Sequence, residues 1–266
     1  MIIYWMAVQL YSLLKILRCI IKAVTYVTAF ILWRYWLMVC KSVFISATGT
    51  DVGKTYISAL LVKKMRAYSL NCGYYKPALS GAIIRQDGSL IPGDCDFVLK
   101  TAGINVEPKS CVTYCFEDAV SPHLAAQRAG VIIENSVIQA EYDKRCLIYD
   151  YLVVEGAGGI TCPFNLENGN LLLLSDVIKS LNIGTIIVAD GGLGTINSVL
   201  LTVEYAKHRD IPIKGIILNN YDYKDFMHVD NKKQIEYLTG IKVIACVAKG
   251  SNELHISKDE LLNLFE

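Results

Sequence analysis

Six uninterrupted apolar runs constrain this chain most: Val43–Ala47, Gly73–Lys76, Tyr151–Glu155, Thr185–Ala189, Lys214–Leu218 and Lys242–Cys246. Stretches such as YLVVEG and GTIIVAD do not alternate polar with apolar residues. A strand of that kind is buried on both faces, which points to a mainly parallel sheet covered by helices. Helical patterns separate the runs at Lys54–Ser69, Asp94–Ala102, Asn135–Lys144, Ser175–Leu181, Thr195–Lys207 and Lys232–Thr239. The expected fold is therefore α/β, one doubly wound sheet with helices on both faces. In such sheets ligands sit at the carboxyl ends of the strands. Polar residues cluster at four of those ends: after Ala47, at Lys76, at Glu155 and at Asn219.

Residues 1–37 do not belong to that pattern. They are strongly apolar, and residues 1–40 contain Lys15, Arg18, Lys22 and Arg34 but no acid. Setting those four aside from the 26 basic residues leaves 22 against all 25 acids, so residues 41–266 carry about −3 within a whole-chain charge of +1. A balance so near neutral names no nucleic-acid or membrane partner. Met1–Leu14, uncharged, is shorter than the ~20 residues of a spanning helix, and Ala23–Cys40 reaches that length only by including Arg34. The expectation adopted is that 1–37 are an apolar extension before a true start at Met38, with 38–266 the catalytic domain. A membrane anchor and an amphipathic surface segment are the alternatives. The nine scattered cysteines show no C-x-x-C pair, and the four histidines lie far apart. A reducing cytoplasmic compartment follows, with no zinc-type site.

Thr50-Asp51-Val52-Gly53-Lys54-Thr55 lies where the first run meets its helix. Backbone N–H groups at a helix start favour anions. Gly53 allows close approach of a phosphate, Lys54 neutralises the β/γ-phosphates, and Thr55 offers a hydroxyl to Mg²⁺. The spacing departs from the usual loop, since Thr48 stands where a glycine is expected and Gly49 comes one residue late. A glycine-rich cap with an exposed lysine is the plain alternative, and the strand-loop-helix context favours the phosphate loop. Glu155 closes a buried strand, which is costly unless it meets a cation. Gly156, Ala157, Gly158 and Gly159 follow it and leave room for a ligand. Asp94 and Asp96 precede a helix, one a candidate metal ligand and the other a cap. Lys76 ends its strand before Pro77, Ser80 and Gly81 close that loop, and Asn219 is a candidate to meet an adenine edge.

Together FISATGTDVGKT, YYKPALSG, DFVLKTAG, SPHLAAQRAG, YLVVEGAGG, GLGTINSVLLT and GIILN resemble the dethiobiotin synthetase family, from Val43 to about Asn220. The resemblance implies a P-loop NTPase-like enzyme that uses Mg²⁺ and ATP to carboxylate 7,8-diaminononanoate with CO₂ and close the ureido ring. It implies catalytic roles for Lys76, Lys54 and Thr50. Asp51, Val52, Gly53, Lys54, Thr55 and Tyr56 would line the triphosphate, with Glu155, Gly156, Ala157, Gly158, Asn219 and Asn220 on the nucleotide. Thr55, Asp96 and Glu155 would hold the metal. Ser80 would touch substrate, and Leu193, Gly194, Thr195, Ile196 and Asn197 would hold its carboxylate across a homodimer interface. Ala47 and Gly49 depart from the family pattern. A membrane-associated partition or switch ATPase is the competing class, but it needs an early loop lysine where Ser46 and Ala47 stand. A glutamine-dependent amidoligase needs a second domain for which the chain has no room.

Overall fold

The structure, a computed structural model, describes residues 20–22, 24–26, 40–167 and 169–266. The chain divides into two units, Met1–Val39 and Cys40–Glu266. Of the first, residues 20–22 and 24–26 are helical, and the expected extension otherwise lies outside the described residues. Among the described residues no helix is long and apolar enough to cross a membrane.

In the second unit, among the described residues, seven parallel strands form one sheet. They are β1 (Lys41–Ala47), β2 (Cys72–Leu79), β5 (Val112–Cys115), β6 (Tyr151–Glu155), β9 (Gly184–Asp190), β10 (Ile213–Asn219) and β11 (Val243–Cys246). Their spatial order is β11-β10-β9-β1-β6-β2-β5. Two-residue and three-residue strands, β3 (Ile83–Ile84) with β4 (Leu90–Ile91) and β7 (Pro163–Asn165) with β8 (Leu172–Leu173), make small antiparallel pairs outside it. The helices are α1 (Lys54–Ala67), α2 (Gly93–Ala102), α3 (Pro122–Arg128), α4 (Asn135–Cys146), α5 (Leu174–Leu181), α6 (Thr195–His208), α7 (Phe226–Thr239) and α8 (Lys258–Asn263).

Alternation along β1 explains the two-sided core. Val43, Ile45 and Ala47 face a cluster with Ile57, Leu61 and Met65 of α1 and Leu261 of α8. Phe44 faces the opposite cluster with Ile138 of α4 and Leu174, Val177 and Ile178 of α5. All of these side chains are fully or almost fully buried. A sheet sandwiched in this way needs apolar residues at every strand position, which is why its strands read as continuous runs. The six expected strands all lie in this sheet, so the doubly wound architecture stands.

One expectation needs correction. The second strand does not stop at Lys76 but runs to Leu79. Residues 72–75 pair with β6, while Lys76, Ala78 and Leu79 pair with β5. Pro77, which has no N–H to give a ladder, takes part in neither register. The edge strand β5 that prolongs β2 is only four residues long, too short for its periodicity to stand out in the sequence.

Candidate active site

β1 lies at the centre of the sheet, and the chain leaves it through residues 48–53 before entering α1. Gly53 adopts a left-handed backbone with φ 97°. A Cβ there would fall 2.1 Å from Asn219 Nδ2, so both conformation and space demand glycine. No side chain caps α1, which leaves the first helical N–H groups for a ligand. Asn219 closes β10 and donates from Nδ2 to the Val52 carbonyl at 3.0 Å, bracing the loop from behind. Its Oδ1 is buried with no hydrogen-bond partner.

A cleft of about 520 Å³ opens over this loop. It is lined by Thr50, Asp51, Gly53, Lys54, Thr55, Tyr56, Lys76, Leu79, Ser80, Asp94, Phe97, Glu155, Ala157 and Gly158. Glu155, at the end of β6, is fully buried. Its Oε1 accepts from Lys76 Nζ at 2.7 Å and from Thr55 Oγ1 at 2.7 Å; its Oε2 accepts from Tyr74 Oη at 2.8 Å. Lys76 Nζ also meets Asp94 Oδ2 at 2.7 Å and the Gly156 carbonyl at 3.4 Å. Burial opposes the charge on Lys76, but Glu155 and Asp94 outweigh it and leave its pKa raised. Lys54 Nζ donates to the Gly49 carbonyl at 2.9 Å. Its pKa is lowered, first by burial and then by the Lys76 charge. Two ammonium groups, Lys54 and Lys76, thus share one cleft with the carboxylates of Asp51, Asp94 and Glu155, and Lys76 bridges the last two.

The structure separates the predicted site residues into three sets. The first lies in the cleft: Thr50, Asp51, Gly53, Lys54, Thr55, Tyr56, Lys76, Ser80, Glu155, Ala157 and Gly158. The second lies behind it. Val52 packs on the core beside the loop. At Gly156 a Cβ would fall 2.8 Å from Leu174 Cδ2 and 3.0 Å from Phe44 Cε1, so packing behind the cleft favours glycine. The third lies at the neighbouring rim. Asn220, at φ 52°, donates to Asp190 Oδ2 at 2.8 Å. Leu193, Gly194, Thr195, Ile196 and Asn197 form the turn into α6 and do not line the cleft.

Asp96 departs from expectation. It pairs with Lys100 one turn along α2 at 2.6 Å and does not line the cleft, whereas Asp94 sits on Lys76. Two residues apart on a helix, the two acids face about 200° from each other, so only one of them can meet β2. Tyr74, Leu79 and Phe97 belong to the site without having been singled out in the sequence. Tyr74 and Leu79 look like ordinary strand residues there. Phe97 is 42% exposed and stacks on Tyr56 with centroids 6.3 Å apart, and an exposed aromatic leaves no periodic trace.

Among the described residues no cluster of three or more His, Cys, Asp or Glu is placed to hold a metal. The oxygen donors Thr55, Asp94 and Glu155 suit Mg²⁺, which takes one or two carboxylates and leaves its other positions to phosphates and water. They do not suit a metal that needs an all-protein cage.

A family model described as an AAA domain matches residues 41–251. A Clostridium botulinum (strain 657 / Type Ba4) protein named ATP-dependent dethiobiotin synthetase BioD is 47% identical over 226 residues, covering 85% of this chain and 98% of that protein. Its counterpart from the Loch Maree / Type A3 strain is 45% identical over the same length, with the same coverage. A ParA family ATPase from Chlorobium tepidum TLS superposes with a TM-score of 0.48 at 17% identity, covering 85% of this chain and 90% of that one.

Proposed function

The chain belongs to the ATP-dependent dethiobiotin synthetase family, and from that premise we propose how its own residues carry the reaction: carboxylation of 7,8-diaminononanoate with CO₂, then ring closure to dethiobiotin with release of ADP and phosphate. The observation that carries this reading is the convergence of Lys54, Lys76, Asp94 and Glu155 on one cleft above the phosphate loop.

One unprotonated amine of the substrate attacks CO₂ and gives a carbamate and a proton. A carbamate oxygen attacks the γ-phosphorus of ATP, and the bond to ADP breaks. The second amine then attacks the carbamoyl carbon, closes the five-membered ring and expels inorganic phosphate. Such chemistry needs positioning and charge neutralisation rather than a protein nucleophile. Lys54 and the free N–H groups of α1 hold the transferring phosphate. Lys76, kept charged by its two acids, stabilises the carbamate and the developing negative charge. Thr50 lines the same cleft and would offer its hydroxyl to the polyphosphate. Thr55, Asp94 and Glu155 would hold Mg²⁺, which when bound offsets phosphate charge. The unpartnered Asn219 Oδ1 is an acceptor suited to the adenine amino group.

The turn at 193–197 supports a homodimer in which this rim of one copy holds the substrate carboxylate for the other. Leu193 is 93% exposed, and the N–H groups at the start of α6 lack a side-chain cap. The described cysteines are all free, which suits a reducing cytoplasm. Purified protein supplied with Mg-ATP, bicarbonate and the diamine should form ring product in step with ADP. ADP release indifferent to the diamine would overturn the assignment.

A further inference from the structure

We propose that Tyr74 is a positioning residue that fixes the orientation of the Glu155 carboxylate toward the metal–nucleotide site. The inference rests on the reading of Glu155 as a ligand for Mg-nucleotide. Residues two apart on a strand share a face, so Tyr74 and Lys76 both reach Glu155 from β2 while Tyr75 points to the opposite core. Tyr75 demonstrates the contrast: its hydroxyl meets Thr113 Oγ1 at 2.7 Å and the Ile138 carbonyl at 3.2 Å, far from the cleft chemistry.

A glutamate carboxylate turns easily about its last torsion, which has broad, two-fold preferences. Here the two oxygens have different partners. Oε2 takes the Tyr74 hydroxyl at 2.8 Å, on the core side. Oε1 takes Thr55 and Lys76, each at 2.7 Å, on the cleft side. Tyr74 is 1% exposed and Glu155 0%, so water cannot replace the phenol as a donor to Oε2. Without that donor, Oε2 is a buried, unsatisfied anionic oxygen, and the carboxylate gains by rotating toward Thr55 and Lys76. The metal-facing geometry is lost in that rotation. Partners that orient a metal's ligand commonly matter 10–100-fold for affinity.

The test measures binding rather than turnover. Tyr74→Phe keeps the ring and removes only the hydroxyl. ADP binding is followed by calorimetry across a Mg²⁺ series, and Mn²⁺ binding by electron paramagnetic resonance, with thermal melting as the check on folding. Tyr74→Phe should raise the metal concentration needed for tight ADP binding about tenfold and leave metal-free ADP binding unchanged. In a Glu155→Gln background the same change should add nothing, because the carboxylate that Tyr74 orients is gone. Metal dependence within twofold of the parent, or full additivity of the two substitutions, would make Tyr74 a packing residue and overturn the inference. ADP binding by the parent protein that ignores Mg²⁺ would instead remove the premise about Glu155.

Discussion

The carboxyl ends of β1, β2 and β6 differ from those of β9 and β10 in what their polar groups do. At the first rim, side chains bond to one another around a buried centre: Glu155 gathers Thr55, Tyr74 and Lys76, and Lys76 gathers Asp94. At the second, side chains hold backbone in place. Asp190 Oδ1 accepts from the Gly192 N–H at 2.8 Å, and Asn231 donates to the Gly191 and Gly192 carbonyls at 2.9 and 3.0 Å. One rim is a cluster of charged side chains of both signs. The other is a shaped turn that leaves Leu193 exposed. On the proposed reading, one rim handles polyphosphate and the other a substrate carboxylate, which gives reason for the two to be built so differently. The dense charge of a triphosphate calls for buried ammonium groups, whereas a single carboxylate is satisfied by backbone N–H groups.

Lys76→Ala tests that comparison most severely. It should lower turnover on the order of 10²–10³-fold while ATP still binds, read from coupled ADP release and calorimetry. It should also cost roughly 3 kcal/mol of stability in denaturant unfolding, because Glu155 stays buried with only Thr55 and Tyr74 as donors. Near-parent turnover would remove Lys76 from the chemistry. The paired substitutions Asp94→Asn and Asp96→Asn sharpen the first rim. The former should weaken the Mg²⁺ dependence of nucleotide binding by roughly tenfold. The latter should stay within about twofold, since an exposed i,i+4 pair with Lys100 contributes only a few tenths of a kcal/mol. The reverse ranking would restore Asp96 as the ligand. Gly194→Ala addresses the second rim. The site has open space for a methyl group, but φ is 87°, so the cost is backbone strain of about 1 kcal/mol. The KM for the diamine should rise about fivefold with ATP affinity unchanged. Loss of both together would mean that the rims do not have separate tasks.

What was legible in the sequence follows from local chemistry. Continuous apolar runs mark strands buried on both faces, and Gly53-Lys54-Thr55 after the first run marks a phosphate loop, because periodicity and turn requirements act over a few residues. Lys76 and Glu155 stood out as charges closing or interrupting apolar strands, where an unpaired charge is costly. The neighbours of those charges were decided only by the tertiary structure. Whether Asp94 or Asp96 meets Lys76 depends on how α2 is rotated against β2, and no local pattern in GDCDFVLK encodes that rotation. Tyr74 looks like any strand tyrosine until β6 brings a carboxylate from 81 residues away to within 2.8 Å of its hydroxyl. Residue types and their spacing carry local preference. The pairing of a buried donor with a buried acceptor is set by packing across the sheet, and only the folded chain specifies it.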